Sequence, residues 1–295
     1  MTFHCCIMPK NGSPNEHRKL SESWHQVAGW VLVIPLLIVL WETGAYLLNQ
    51  PWILPRFSLV ARQLMHPFQD LYASGSLASN TLVSFVRVLI GFLLAAIFGI
   101  PLGLLMGSTR AVRGLLEPII ELLRPLCPIA WIPFALAVFK LQTLPQVFGI
   151  RASGTILDQV QTGMVFVLSF GAFFPIVVNT LDGVSGVRRN YLMLAKTLGA
   201  SRRQTFLHVY LPAALPMILT GLRQGIGLCW FVIIAAEMLP GANSGIGYLL
   251  MYAADQSGMN VVIASMIIIA TIGALLNTLM VHGTKRLIGW YGKEF

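Results

Sequence analysis

The sequence predicts an all-α membrane protein with about six transmembrane helices, because of its composition and the length of its apolar runs. Hydrophobic residues make up 56% of the 295-residue chain and charged residues only 11%, whereas soluble domains average about 45–50% apolar and about 25% charged residues. Several uncharged runs reach about 22 residues, which at about 1.5 Å of rise per residue span the hydrocarbon core of a bilayer. A soluble enzyme and a disordered chain are therefore both excluded.

Six segments are expected to cross the membrane. Two of them, the third and the fifth, are interrupted by charged residues. A signal peptide is the alternative for the N-terminal region, and it is disfavoured because no small-residue cleavage site follows the first apolar run. The predicted organisation is a tail at 1–24, a transmembrane domain at 25–284 with spans at 26–48, 79–108, 117–139, 161–182, 215–239 and 259–283 and an inner loop at 183–214, and a tail at 285–295.

The distribution of Lys and Arg predicts which side of the membrane each loop faces. With the N-terminus in the cytoplasm, 13 of the 20 Lys and Arg residues lie on the inner side and 4 lie in outer loops, and positive charge favours cytoplasmic loops. Both termini are therefore expected to be cytoplasmic. The net charge of +9 is attributed to this bias and to anionic membrane lipid, not to a nucleic-acid partner.

Catalytic, nucleotide and metal motifs are missing from the sequence. The glycine-rich stretch Gly241-Ala-Asn-Ser-Gly245-Ile-Gly247 lacks the lysine of a phosphate-binding loop. Ser169 lacks the flanking pattern and the partners of a hydrolase nucleophile. The six His and four Cys residues form no metal-ligand or disulfide pattern. The chain is therefore predicted not to be an enzyme and to bind no metal or cofactor itself.

Charged residues inside the spans need partners or a cavity, because a lone charge in the bilayer costs several kcal/mol. Arg87 is expected to snorkel at the outer end of its span, and Glu121 and Arg124 are expected to pair, three residues apart on one helix. Arg124 and Arg223 are expected either to present their charge to a cavity, as candidates for a transport pathway, or to pair structurally. Glu237 is a third pathway candidate, expected to face protein or water.

The inner loop is the most informative part of the chain, and its first half predicts a short amphipathic helix. Apolar residues recur there at i, i+3, i+4 and i+7. These residues are Tyr191, Leu194, Ala195 and Leu198. Gly199 follows, with the left-handed freedom that ends many helices.

A second short helix is predicted after this glycine. Ser201 is expected to cap it, and Leu211-Pro212 is expected to end it at the fifth span. Basic residues surround the helix pair, which favours a docking element, and a helix lying on anionic lipid is the alternative. The basic residues are Arg188, Arg189, Lys196, Arg202 and Arg203.

The spacing of this loop resembles the coupling-loop motif of importer permeases in the ATP-binding-cassette (ABC) superfamily, E-A-A-x3-G-x9-I-x-L-P. Met193-Leu194-Ala195 is followed after three residues by Gly199, and after nine more by Val209-x-Leu211-Pro212. The chain departs from the motif at Met193, where the family has Glu, and at Leu194, where it has Ala. The resemblance implies that this loop docks on a partner, with Met193 at the position of the acidic residue that makes the contact in the family.

Further stretches are similar to the branch of these permeases that serves nitrate, sulfonates, taurine and bicarbonate. The connection at 140–161 is longer than that branch usually has and receives no role. The resemblance covers about 80–282 and includes Arg87-Val-Leu-Ile-Gly91-Phe, Phe174-Pro-Ile-Val-Val-Asn-Thr180, Gly221-Leu-Arg-Gln-Gly-Ile-Gly-Leu-Cys-Trp230, and Ala236-Glu237 leading to Ser244-Gly-Ile-Gly-Tyr248.

The resemblance implies a transport subunit of the bacterial inner membrane that carries a small oxyanion or organosulfonate. Two permease copies would form the path, cytosolic ATPases would bind the ATP, and an extracytoplasmic solute-binding protein would deliver the solute. Each ATPase would hold one inner-loop helix. The implied ATPase contact comprises Tyr191, Leu194, Ala195, Lys196, Leu198, Gly199, Ala200 and Arg202.

Two other functions remain open at this point. A proton-coupled secondary carrier would use Glu237 and would need internal repeats of broken helices, for which no half-to-half similarity is found. A membrane anchor that only scaffolds partners would tolerate a charged substitution at Gly199, whereas a lever would not. Whether the chain is an importer subunit or a secondary carrier, helices are expected to approach closely at Gly221, Gly225 and Gly227.

Overall fold

The computed structural model describes residues 33, 35–71, 74–147, 149, 155–239 and 241–287. The predicted tail at 1–24, most of the tail at 285–295 and the start of the first predicted span lie outside these residues. The chain divides into two compact units, 1–62 and 63–295.

In the first unit, helix α1 covers Pro35–Leu48, which is the described part of the first predicted span. Helix α2, Phe57–Met65, begins in the same unit. The N–H of Phe57 donates to Glu42 Oε2 at 2.8 Å. A carboxylate at a helix N-terminus satisfies an otherwise unpaired N–H and suits the positive end of the helix dipole, so Glu42 fixes the connection between α1 and α2.

The second unit contains four helices that are long and apolar enough to cross a membrane. They match the second, fourth, fifth and sixth predicted spans, and no named strand occurs among the described residues, so the all-α prediction is confirmed. The four are α3 (Leu77–Ser108), α6 (Thr162–Ser185), α8 (Arg202–Glu237) and α10 (Met259–Leu287). The shorter helices are α4 (Arg110–Leu123), α5 (Ile132–Phe139), α7 (Arg189–Thr197) and α9 (Ile246–Asp255), with single helical turns at Pro128–Trp131, Leu144–Val147 and Ile156–Gln159.

The third predicted span, 117–139, is a bent pair of helices instead of one straight helix. Helix α4 and the stretch Pro128–Phe139 meet at 90°. Prolines explain the break, because Pro125 and Pro128 lack the N–H that a helix needs. Cys127, which precedes Pro128, is extended (φ −61°, ψ 127°), as the clash with a proline ring favours.

Small residues allow α3, α6 and α8 to pack closely. A Cβ at Gly103 would lie 2.6 Å from Thr180 Cβ, so only glycine fits there. The close approach expected at Gly221 and Gly225 is confirmed, because a Cβ would lie 3.0 Å from a carbonyl oxygen of α6 at Gly221 and 3.1 Å from an isoleucine side chain of α6 at Gly225. The same expectation is wrong at Gly227, where no described atom beyond its own helix lies within 4 Å of the Cβ position.

The main core lies among these three helices, and α10 packs on its edge. Leu168, Ile176 and Ile233 are fully buried in it. Trp230 Nε1 of α8 donates to the carbonyl oxygen of Ile269 in α10 at 3.0 Å. This bond ties α10 to α8 in the apolar interior, where an unpaired donor would be costly.

Candidate functional site

The inner loop forms an elbow, residues 189–210, and its first half ends as the sequence predicts. Helix α7 runs through Arg189–Thr197, and Gly199 has φ +70°. The N–H of Gly199 donates to Lys196 O at 3.0 Å, and the N–H of Ala200 donates to Ala195 O at 3.0 Å. These two bonds form the Schellman arrangement, which satisfies the last carbonyls of a helix through a left-handed residue.

The requirement for glycine at position 199 is one of backbone conformation. No described atom beyond its chain neighbours lies within 4 Å of the Cβ position of Gly199. A side chain would therefore find room there, but the left-handed conformation costs a β-branched residue most. Space around the turn is open to water or to a partner.

The second half of the elbow begins with the predicted Ser201 cap. Ser201 Oγ accepts the N–H of Gln204 at 3.3 Å, and Gln204 Oε1 accepts the N–H of Ser201 at 2.8 Å. This reciprocal capping box satisfies two N–H groups that the first turn of a helix leaves free. The direction in which the chain leaves the glycine turn is therefore fixed on both sides.

The expected helix end at Leu211-Pro212 is wrong. The helix that starts at Arg202 continues to Glu237 as α8. A wider turn at Phe206–Tyr210 precedes the proline, and the N–H of Leu211 donates to Phe206 O, five residues back. Pro212 has no N–H to donate and its ring is bulky, and the wider turn tolerates both. The elbow and the fifth predicted span are therefore one continuous helix.

The apolar stripe of α7 is largely exposed. Leu198 is 77% exposed, Leu194 58% and Tyr191 51%, while Ala195 is buried. Met193, which replaces the Glu of the family motif, is exposed as well. The stripe borders a groove whose opposite wall belongs to α8. The wall residues are His208, Val209, Pro212 and Ala213.

The remaining residues of the predicted ATPase contact surround this stripe. Lys196, Gly199 and Arg202 are exposed, and Ala200 is half-buried. Lys196 and Arg202 also line a polar cleft next to Ser108 at the end of α3. No acidic residue occurs at 183–214, so the electrostatic potential of the elbow is positive.

A second polar centre lies within the helices. Arg87 Nη1 donates to Glu237 Oε1 at 2.7 Å, and the two side chains are 1% and 0% exposed. The expectation that Arg87 snorkels is therefore wrong, because its partner is a carboxylate at the end of α8. The sequence carried one signal that was missed. Asn80, Ser84 and Arg87 recur at i, i+4 and i+7 on α3, a polar stripe on an apolar helix.

The polar stripe of α3 holds the segment that leads into α9. Ser84 Oγ lies 2.8 and 2.9 Å from the two oxygens of Glu237 and accepts the N–H of Ile246 at 2.8 Å. Asn80 Oδ1 accepts the N–H of Gly245 at 2.8 Å. Gly245 has φ +117°, and a Cβ there would lie 2.2 Å from Glu237 Cδ. The carboxylate therefore occupies the space that any other residue at 245 would need.

Other bonds of Arg87 give the long connection at 140–161 a structural role. Its Nη2 donates to the carbonyl oxygen of Gln159 and to Ser244 Oγ at 2.9 Å, and its Nη1 donates to Ser244 O at 2.8 Å. Gln161 Nε2 donates to Gly241 O at 2.7 Å. The end of the connection and the segment before α9 are thus held by the same guanidinium.

The three pathway candidates lie apart. Glu237 is enclosed in this ion pair, whereas Arg223 is exposed on α8, about 21 Å along the helix axis from Glu237. Arg124 is exposed at the bend after α4. Among the described residues Glu121 and Arg124 form no ion pair, which corrects that expectation, and both side chains are exposed to water, where pairing gains little. The pathway roles of Arg124, Arg223 and Glu237 stay predictions.

Long apolar helices, a charged pair buried among them and an exposed amphipathic elbow are the features of a polytopic membrane protein. The chain belongs to the family described as binding-protein-dependent transport system inner membrane component, which it matches over residues 99–288. The predicted resemblance to importer permeases of the nitrate, taurine and bicarbonate branch is confirmed.

Three relatives cover most of the chain. A Methanocaldococcus jannaschii protein assigned as an ABC transporter permease is 47% identical over 242 residues, 82% of this chain and 84% of the relative. The bicarbonate transport system permease protein of Synechococcus elongatus is 34% identical over 279 residues, 91% of this chain and 92% of the relative. The taurine transport system permease protein of Escherichia coli is 32% identical over 285 residues, 94% of this chain and 95% of the relative.

A solved structure has the same fold. A chain of the bacterial alginate ABC transporter, in complex with its alginate pentasaccharide-bound periplasmic protein, superposes with a TM-score of 0.53 and 16% identity over 92% of this chain and 97% of that chain. The protein is therefore a multi-pass permease component of an ABC importer, and the comparisons favour this function over the secondary carrier.

Proposed function

We propose that this chain is the translocating subunit of an ATP-driven importer for a small oxyanion or organosulfonate, and that a separate cytosolic ATPase drives it through the elbow. The observation that carries the proposal is the continuity of the elbow with α8. Helix α7 is joined by the Gly199 turn to a helix that runs unbroken to Glu237. Force on α7 would therefore pass through the capped Gly199 turn and along one helix to the buried Arg87–Glu237 pair.

The exposed stripe of α7 supports a protein partner. Each leucine that leaves water contributes about 1.5–3 kcal/mol, and Leu194 and Leu198 are more than half exposed. Large apolar side chains on a cytosolic helix are typical of a docking surface. Where relatives in this superfamily place Glu, the partner of this chain would meet the thioether of Met193.

Charge supports an acidic partner surface. The elbow carries four Lys and Arg residues, with Arg188 directly before it, and no acidic residue, so association with an acidic groove would be accelerated and oriented by the field. Anionic lipid would be attracted as well. A helix lying on lipid, however, has no need of the capped and glycine-turned geometry that fixes α7 to α8.

The other components follow from the family. An extracytoplasmic binding protein would deliver the solute, a second copy of the chain would complete the path, and ATP would bind only to the ATPase. Both termini would be cytoplasmic, because the elbow and most of the basic residues would then face the ATPase. The solute class rests on the bicarbonate and taurine systems in which the relatives are permeases.

Copurification tests the proposal. The tagged chain, expressed with its ATPase and extracted in mild detergent, is expected to retain the ATPase stoichiometrically, and Leu198→Asp is expected to lose it. Leu157 is a matched control, because it is also exposed but belongs to the connection before α6. Equal retention by Leu198→Asp and Leu157→Asp would contradict docking at the elbow, and transport by the chain alone on a proton gradient would favour the carrier.

A further inference from the structure

One face of α8 is polar at a depth where the other faces are apolar and packed. Thr220, Arg223, Gln224 and Gly227 are exposed on it, and the buried Gly221 and Gly225 lie along one side of it. Arg223 lies about 21 Å from Glu237 along the axis, well inside a helix long enough to cross the bilayer. A guanidinium facing lipid at that depth would cost several kcal/mol, so this face borders water or another polypeptide instead of lipid.

The charge of Arg223 is not neutralised. Its Nε donates to Asn277 Oδ1 of α10 at 2.8 Å, and Asn277 is uncharged. Within the described residues its Nη1 and Nη2 make no hydrogen bond, and it takes part in no ion pair. The bond at Nε fixes the plane of the guanidinium. The Nη1 and Nη2 groups keep N–H donors that suit bidentate binding of an oxyanion.

The neighbouring residue adds a second donor. Gln224 Oε1 accepts from Asn179 Nδ2 of α6 at 3.0 Å, and Asn179 is itself held by Pro175 O at 2.7 Å. Because its oxygen is turned to α6, the amide nitrogen of Gln224 is left free to donate. One turn further along, Gly227 leaves open space, with no described atom beyond its own helix within 4 Å of its Cβ position.

The acidic residues do not compete for this position. The four long helices contain only two, Asp182 and Glu237. Glu237 is paired with Arg87, and Asp182 lies exposed near the end of α6. On the four long helices, therefore, no unpaired carboxylate lies in the stretch of α8 around Arg223, and the positive charge of its guanidinium is left for an anion.

We propose that Arg223 and Gln224, beside the open space at Gly227, form an anion-binding station on the translocation path, with Asn277 positioning the guanidinium. The station takes the oxygens of one small carboxylate, nitrate or sulfonate group. It rests on the proposed function, since it assumes that the exposed face of α8 borders the path of an oxyanion importer.

Uptake kinetics test the station. Nitrate, bicarbonate and taurine are each offered as the probe to the complete importer, with its ATPase and binding protein, and ATP-dependent uptake is measured together with ATPase copurification. For the anion that the wild type carries, Arg223→Gln is expected to raise KM about 10- to 100-fold, as loss of a charge-assisted bond does. Arg223→Lys keeps the charge but loses the paired N–H donors of the guanidinium, and its KM is expected to lie between those of the wild type and Arg223→Gln. Asn277→Ala is expected to raise KM with little change in maximal rate.

Gly227→Leu supplies an independent test, because it fills the open space without touching the packed faces. It is expected to reduce uptake at least about 10-fold while the ATPase still copurifies. Gly283 of α10 is the matched control, as its Cβ position is equally open, and Gly283→Leu is expected to stay within about twofold.

Each other outcome counts against the station. Wild-type KM in Arg223→Gln overturns it, and so does uptake loss that is matched by loss of ATPase copurification, since Arg223 would then be structural. Recovery of uptake when Asp182→Asn is added to Arg223→Gln would reassign Arg223 to an ion pair with a second copy. Failure of the wild type to take up any of the three anions with ATP would refute the proposed solute class, and the station with it.

Discussion

Arg87 and Glu237 are 150 residues apart in the sequence and 2.7 Å apart in the structure. Their ion pair joins the N-terminal half of α3 to the end of α8, and it also orients the segment before α9. The elbow is at the other end of α8. Any movement that the elbow transmits along this helix therefore arrives at a charged, fully enclosed junction, and the pair determines where the helix is anchored.

Removing one partner of this pair is expected to be more harmful than removing both. Glu237→Leu leaves the buried guanidinium of Arg87 uncompensated, and breaking buried pairs in this way typically costs about 3–5 kcal/mol. The double variant Arg87→Leu with Glu237→Leu is expected to recover much of the loss. Thermal unfolding in detergent measures both, and a double variant no more stable than Glu237→Leu would contradict the interpretation.

An exposed pair provides the control for this experiment. Arg113 and Glu117 on α4 lie 2.8 Å apart but remain accessible to water, where ion pairs contribute little. Glu117→Gln is expected to leave the unfolding midpoint unchanged.

Gly245 is expected to tolerate no substitution. Gly245→Ala adds a methyl group where Glu237 Cδ would be 2.2 Å away, in a backbone conformation of φ +117°. The left-handed strain and the overpacking each cost of the order of 1–3 kcal/mol. The yield of monodisperse protein in detergent should fall, whereas Gly114→Ala, at an open helical position, should leave the yield unchanged. Equal yields would show that the carboxylate can move aside.

Substitutions at Gly199 test the elbow through backbone conformation, because a side chain there would meet no neighbouring atom of the described residues. Gly199→Val disfavours φ +70°, so α7 should lose its fixed direction and uptake should uncouple from ATP, while insertion into the membrane remains normal. Gly199→Asn is the matched control, because Asn tolerates the left-handed region, and it should retain most activity. Normal ATP-driven uptake by Gly199→Val would refute the assignment of a lever.

The cap of α8 is expected to contribute measurably. Ser201→Ala removes one half of the capping box, a loss of about 1 kcal/mol in typical helices. Amide hydrogen exchange at residues 202–205 should accelerate several-fold, while exchange in the buried middle of α8 should not change. Protection equal to wild type in the first turn would mean that the cap does not hold the elbow.

Local signals in the sequence were sufficient to predict the elbow. A glycine after an apolar stripe and a serine two residues later specify a turn and a cap through interactions between near neighbours, and Gly199 and Ser201 adopt them. Hydropathy likewise located the four long helices, because the requirement for about 20 apolar residues is a property of each segment by itself.

Long-range pairing was not predictable in the same way. The partner of Arg87 depends on how α3 and α8 pack, and nothing close to Arg87 in the chain specifies Glu237. The polar stripe of Asn80, Ser84 and Arg87 could have indicated an interior polar contact, although not its partner. The continuation of α8 through Pro212 was also missed, because one wider turn allows a helix to accept a proline that would otherwise end it.

Reconstitution distinguishes a chain that a separate ATPase drives through the elbow from a chain that transports by itself. Proteoliposomes containing the chain with its ATPase and binding protein are compared with proteoliposomes containing the chain alone, with ATP inside or outside and an imposed proton gradient. Solute is expected to accumulate only with the ATPase and only with ATP on the elbow side. Accumulation by the chain alone, or with ATP and ATPase on the opposite side, would contradict this expectation.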